Sequence, residues 1–230
     1  MRTRGPQPSG TRLVLVRHGE AYCNLRGIVG GPLGCGGLTE LGQLQSAALR
    51  DRLALSGELN EAVALYTSVL PRSIETAAIV APALPNHLVA TADCELCELH
   101  PGEADGLSWG EFVAKYGAPD WDNDPSFPLA PGAESWTGFY ERCRISLHAV
   151  AEAHPDQLVV LVVHGGVIEQ ALKLVNESTP GTRLRLRTEN CSMTAVEFRG
   201  GRWHLLRYND RAPLDQATAN RFISYTMLEG

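Results

Sequence analysis

Two runs constrain this chain more than anything else in it: "TRLVLV" at residues 11–16 and "LVVLVV" at 158–163. Neither run alternates apolar with polar residues, and both are dominated by valine and leucine. A strand of that kind has to be covered on both faces, which is the condition of a strand inside a largely parallel sheet. "AVALYTS" (62–68) reads as a further strand. Between the strands the apolar period changes to that of helices. Thr39 is a natural N-cap, with Leu41, Leu44, Ala48 and Leu55 as the expected apolar stripe behind it. "PRSIETAAIV" (71–80) opens with a helix-starting proline. Phe139, Tyr140, Cys143, Leu147, Val150 and Ala151 give one face after Trp136, and Val167, Ile168, Ala171, Leu172 and Val175 give another. "SMTAVEF" and "WHLLRY" flank a Gly200-Gly201 turn and read as a hairpin.

Strand–loop–helix units in series predict an α/β fold: a three-layer sandwich with a mostly parallel central sheet and helices on both faces. Residues 1–10 read as a disordered leader and 11–230 as one domain. Within it, residues 94–135 form a small irregular cap that includes a proline-rich stretch from 117 to 133. Half of "RGIVGGPLGCGG" (26–37) is glycine, too flexible for regular structure.

With 44% hydrophobic and 20% charged residues, the 230-residue chain has the makings of an ordinary core. A net charge of −6 speaks against binding nucleic acid or a membrane surface. An anionic substrate therefore needs a local pocket of arginines, since Lys115 and Lys173 are the only lysines. The N-terminal stretch lacks the apolar core of a secretory signal, and no run reaches the roughly 18 apolar residues of a membrane span. The expectation is a cytoplasmic protein whose six cysteines are reduced. Cys94 and Cys97 make a CxxC, but no second ligand pair lies at zinc-finger spacing. They read as incidental small residues, with no metal expected.

In parallel sheets, ligands collect beyond the carboxyl ends of the strands. Here one strand ends in Arg17-His18, another in His164-Gly165-Gly166, and a third is followed by Arg72. Two guanidiniums offer charged planar forks to phosphate oxygens. A histidine is a competent nucleophile toward phosphorus. Asn24 could donate to the same phosphate, and Gly31 and Gly165 are candidate backbone contacts to substrate. Such a set supplies its own positive charge and needs no cofactor. A leaving alkoxide also needs a proton. Glu95, Glu98, Glu103, Asp105 and Glu111 crowd one segment, and chemistry alone does not choose among them.

"LVRHGEAYCN", "GGLTELGQLQSAAL", "YTSVLPRSIETA", "LCELHPGEADGLSW", "PGAES", "VVHGGVI", "ENCSMTAVEF" and "LLRYND" follow one another in the order of a known family. Together they resemble the histidine phosphatase superfamily, with its phosphoglycerate-mutase-like fold, from about residue 13 to 210. The resemblance implies His18 as nucleophile, Arg17, Arg72 and His164 as phosphate ligands, and Glu98 as proton donor. It implies a phosphomonoesterase of the histidine acid phosphatase type, a hydrolase acting on a small-molecule phosphomonoester. The alternatives are a phosphoglycerate mutase-type transferase and a non-catalytic phospho-ligand binder. Departures fall on the rim: Ala21 replaces the usual Ser or Thr, Ala104-Asp105 the usual Trp-Glu, and Ile28 and Gly30 the usual Arg and Gln. Leu99-His100-Pro101 stands where mutases carry Arg-x-Tyr, which favours hydrolysis. The natural substrate stays unread, and a homodimer stays open. "RLRLR" (183–187) reads as a solvated edge strand, or as a source of an arginine for a second anionic group. Trp109, Trp121 and Trp136 either line the substrate cap or pack the core.

Overall fold

A computed structural model describes residues 10–182, 184 and 186–211. The expected leader therefore lies almost wholly outside the described residues. Six strands form one sheet in the order β3-β2-β4-β1-β5-β6. They are β1 (Thr11–Arg17), β2 (Ala62–Thr67), β3 (Thr91–Ala92), β4 (Leu158–Val163), β5 (Ser192–Arg199) and β6 (Arg202–Arg211). The first four are mutually parallel, β5 runs antiparallel to β1, and β6 antiparallel to β5. The two apolar runs that dominate the sequence are neighbours at the centre of the sheet.

Their lack of alternation now has its reason. From β1 and β4, Leu13, Leu15, Val159, Leu161 and Val163 face one core, shared with α5 (Trp136–Ala153) and α6 (Gly165–Val175). Val14, Val16, Val160 and Val162 face the other, shared with α2 (Glu40–Ser56) and α3 (Pro71–Val80). Each fully buried side chain of this size contributes roughly 1.5–3 kcal/mol, so the centre of the sheet is where the fold is most heavily anchored. The sandwich is three-layered, as the α/β reading requires. The hairpin also forms, with Gly200 and Gly201 both at positive φ (59° and 77°), the geometry of a two-residue turn between twisted strands.

α2 corrects the expected stripe. Thr39 caps it by accepting from the Gly42 N–H at 3.0 Å, but the buried face is Gly42, Ser46, Leu49 and Leu53, while Leu55 is 91% exposed. The helix is rotated because it must lie against the backbone of residues 19–20. A Cβ on Gly42 would collide with the Glu20 carbonyl oxygen, and one on Gly19 with the Gly42 carbonyl oxygen. Small side chains, not leucines, define the closest contact. A glycine inside a helix costs about 1 kcal/mol relative to alanine, a cost accepted here for close backbone approach.

Two further corrections concern connecting segments. The region from 94 to 135 is not wholly irregular: α4 (Trp109–Tyr116) lies in it, with a reciprocal Ser108–Glu111 capping box. Its Phe112 packs with Ala104, Leu129 and Ala130 in a separate small apolar cluster. The "RLRLR" stretch shows no edge strand at its described residues. Leu184, Leu186 and Arg187 belong to no strand, and Arg183 and Arg185 lie outside the described residues. Side chains take the place of a ladder there: Tyr208 Oη and Asn209 Nδ2 both donate to the Arg187 carbonyl at 3.1 Å. Among the described residues, no helix is long and apolar enough to cross a membrane.

Candidate active site

The pairing of β1 with its two neighbours runs past the last strand residue. His18 N–H donates to the Val163 carbonyl (3.0 Å), the Cys191 N–H to the Arg17 carbonyl (2.9 Å), and Asn190 Nδ2 to the His18 carbonyl (2.9 Å). The backbone carrying Arg17 and His18 is thus fixed from both sides. His18 Nδ1 lies 2.6 Å from the Gly19 carbonyl oxygen. A carbonyl only accepts, so Nδ1 carries the proton and the lone pair is on Nε2. Arg72 Nε donates to that lone pair at 3.1 Å. Arg72 stands in the first turn of α3, only 3% exposed, with Nη1 donating to the Gly30 carbonyl at 2.8 Å. Cation at the positive end of a helix is unfavourable unless an anion joins it.

Arg17 points the same way. One of its terminal nitrogens donates to the Thr188 carbonyl, while its buried Nε has no partner among the described residues. A buried guanidinium N–H left open is a ready anion ligand. His164 is fully buried beside His18, with ring centroids 5.1 Å apart. Its Nε2 is 2.7 Å from Ser68 Oγ, which itself accepts the Leu70 N–H at 3.3 Å. Ser68 Oγ and His164 Nε2 share one proton between them, and His164 Nδ1 has no partner among the described residues.

Burial, then the nearby Arg72 guanidinium, hold both imidazoles well below the ordinary histidine pKa; Arg17 adds to this at both, and His18 adds further at His164. Both rings are neutral near pH 7. In an unfolded chain they would titrate near 6.5, so below that pH the unfolded state binds protons that the folded state refuses. Stability is expected to rise with pH through about 5 to 6.5 and level off above, with a slope approaching about 2.7 kcal/mol per pH unit from the two rings together. The depressed carboxylates Glu58, Glu134 and Asp210 act in the same direction, but below their ordinary range near 4. Urea midpoints measured across that window check this. A flat or falling curve would contradict neutral histidines.

Of the five candidate carboxylates, only Glu98 lines the cavity. Its Oε2 accepts the Gly166 N–H at 3.0 Å at the start of α6, where the helix dipole favours negative charge. A Cβ on Gly166 would displace the carboxylate and press on the Phe139 ring. Of the N–H groups at the start of α6, the one on Gly166 is therefore taken by Glu98. The other four lie off the cavity wall. Asp105 accepts three backbone N–H groups, from Gly31, Leu33 and Gly34, at 2.8–2.9 Å. Glu111 caps α4, Glu103 meets Tyr116 Oη at 3.1 Å, and Glu95 is exposed and off the cavity wall.

The cavity holds about 350 Å³ and contains His18, Arg17, Arg72, Asn24 and Gly165 in its wall, with His164 behind His18. Asn24 Oδ1 already accepts the Ala21 N–H at 3.3 Å. Gly31 is not in the wall: its N–H is spent on Asp105, and Gly30 takes that place. Ile28, Val29, Leu99 and Leu129 make an apolar flank closed by Trp121 and Trp136, whose rings stack at 5.3 Å. Trp109 is off the cavity, packed on Phe112. Sequence reasoning missed Glu134 and Arg142. Arg142 clasps Glu134 through two 2.7 Å bonds and donates to the carbonyls of Glu95, Cys97 and Glu98, fixing the Glu98 segment. Eight residues apart, they leave no periodic signal. Ser68 was within reach, being the polar residue directly after β2.

The profile of the histidine phosphatase superfamily (branch 1) matches residues 13–211. A metal-independent phosphoserine phosphatase of Arabidopsis thaliana is 31% identical, with 87% of this chain and 82% of that protein covered. Phosphoglycerate mutase-like protein 4 of the same plant is 29% identical, covering 89% and 87%. Among solved structures, a mycobacterial glucosyl-3-phosphoglycerate phosphatase in complex with VO3 superposes with a TM-score of 0.70. It shares 27% identity over 86% of this chain and 99% of that one.

Proposed function

This chain belongs to the histidine phosphatase superfamily, and from that membership we propose that it hydrolyses phosphomonoesters through a phosphohistidine on His18 Nε2. The observation that carries the reading is the tautomer: Nδ1–H is held by Gly19, so a neutral ring offers its lone pair to the side where Arg72 lies. As a phosphoryl group enters, the Arg72 N–H transfers from that lone pair to a phosphate oxygen. The Arg17 Nε–H and, in the tautomer with the Ser68 hydroxyl donating to Nε2, the His164 Nδ1–H donate to the others; neither nitrogen has a partner among the described residues. Charge developing on the transferring group is met by groups already in place.

In the first step the Nε2–P bond forms as the P–O(alkyl) bond breaks, and protonated Glu98 gives its proton to the leaving oxygen. In the second, water attacks phosphorus, Glu98 takes the water's proton, and the Nε2–P bond breaks. Nucleophile, phosphate ligands and acid are all chain residues, so the two steps require no metal at the reacting atoms.

The cavity wall supports hydrolysis over mutase chemistry. Among the described lining residues the only cations are Arg17 and Arg72, and both are used by the phosphate. A second anionic group has no counter-charge there, while an apolar or aromatic body has Leu99, Leu129 and the tryptophan pair. The preferred substrate is a single phosphate on an uncharged, largely apolar alcohol or phenol.

Hydrolysis of para-nitrophenyl phosphate in excess chelator tests the chemistry. Activity is expected to persist, with kcat/KM for aryl and apolar alkyl phosphates above that for phosphoserine or 3-phosphoglycerate. Loss of activity in chelator, restored by Mg²⁺, would overturn the mechanism. The reverse substrate ranking would overturn only the pocket reading.

A further inference from the structure

The CxxC that reads as incidental in sequence acquires a third member in space. Among the described residues, the ligand atoms of Cys94, Cys97 and His100 all lie within 4.8 Å of one another. The Cys94 and Cys97 sulfurs are 3.7 Å apart, and Cys94 Sγ is 3.5 Å from His100 Nε2. Tetrahedral zinc, with Zn–S of about 2.3 Å and Zn–N of about 2.0–2.1 Å, sets sulfur–sulfur and sulfur–nitrogen separations of about 3.8 and about 3.5 Å. Two of the three edges of the ligand triangle already have the lengths that one ion would impose.

The surroundings complete the pattern. Metal-binding histidines usually present their other ring nitrogen to a carboxylate, which fixes the tautomer. His100 Nδ1 lies 3.7 Å from Glu134 Oε1, and the His100 N–H donates to Glu134 Oε2 at 2.9 Å. Glu134 is itself immobilised by Arg142. Cys94 is exposed, which gives an ion an entry path, and Cys97 is buried against Cys35 and Leu70. Soft thiolates with an imidazole select zinc-class ions over Mg²⁺ or Ca²⁺.

We propose that Cys94, Cys97 and His100 form a three-ligand site for one Zn²⁺ ion, with Glu134 as the carboxylate behind His100 and the fourth position open on the Cys94 side. On binding, two Zn–S bonds and one Zn–N bond form, and the two thiols release their protons to solvent. The ligands alternate with cavity residues: Glu98, Leu99 and Pro101 belong to the cavity wall, whereas Cys94, Cys97 and His100 do not. An ion here ties together both flanks of the segment that carries Glu98, away from the reacting atoms.

The test titrates the fully reduced, metal-stripped chain with Co²⁺ and then with Zn²⁺. One Co²⁺ per chain is expected, with a thiolate-to-cobalt charge-transfer band and the intense visible bands of tetrahedral cobalt, both abolished when Zn²⁺ displaces it. Cys94→Ser, at an exposed position, and His100→Ala are each expected to weaken binding more than about tenfold. Cys94→Ser also loses charge-transfer intensity while keeping phosphatase turnover, so failure of this site is separable from failure of the enzymatic reading. Absence of the charge-transfer band in wild type would overturn the proposal. So would wild-type spectra and stoichiometry in both variants.

Discussion

His18→Ala is expected to lower kcat by about 10⁴-fold or more, the scale seen when a covalent nucleophile is removed. That corresponds to at least about 5.5 kcal/mol of barrier. The loss should fall on kcat rather than KM, because Arg17, with its open Nε–H, and Arg72, held by the Gly30 carbonyl, are not removed. Nor does the substitution unfix the local backbone, since Asn190 and Val163 hold residue 18 through main-chain atoms. Rapid acid-free quenching of the wild type with ³²P-labelled substrate should trap phosphate on the protein as an acid-labile, base-stable adduct. The variant should trap none. A variant retaining more than a few per cent of wild-type kcat would mean that another group attacks phosphorus.

Glu98→Gln should separate the two steps. The amide keeps an oxygen for the Gly166 N–H, so the segment stays in place while the proton is lost. For alkyl phosphates, whose leaving oxygen needs protonation, kcat is expected to fall by about 10²–10⁴-fold. Para-nitrophenolate leaves without help, so with that ester the first step survives and the second, which needs a base, stalls. The expected trace is a burst of about one nitrophenolate per chain followed by slow turnover. A uniform loss across leaving groups, with no burst, would remove Glu98 as acid and base and leave it a structural anchor for α6.

What the sequence made legible follows the physics of each element. Strands buried on both faces announce themselves, because nothing polar can be tolerated in them; hence β1 and β4. α3 and α5 were equally plain, one from its N-terminal proline and the other from an unbroken apolar face. α2 misled because its contact with residues 19–20 is made by Gly42 and Ser46, and hydrophobic periodicity does not register a glycine. Arg17, His18, Arg72 and His164 could be grouped because strand ends and helix starts are local signals, and the topology brings them to one edge. Glu98 needed the fold: three competing carboxylates had to be seen bonded elsewhere and a fourth, Glu95, off the cavity wall. The Glu134–Arg142 clasp comes from how loops return on themselves, which no short-range pattern encodes; the Cys94, Cys97, His100 spacing is visible in sequence, but that the three converge depends on the turn at Cys94–Leu96.

The two imidazoles sit at the ends of adjacent strands whose last residues, Arg17 and Val163, are paired in register. Their ring centroids are 5.1 Å apart, close to the roughly 4.8 Å between neighbouring strands in any sheet. The main-chain hydrogen bonds act as a ruler, and the span between the two rings is a property of backbone spacing before it is one of side chains. The reactive geometry is therefore insulated from the loops around it. Residues 25–29 and 106–130 can change length and composition without altering the span between the two rings.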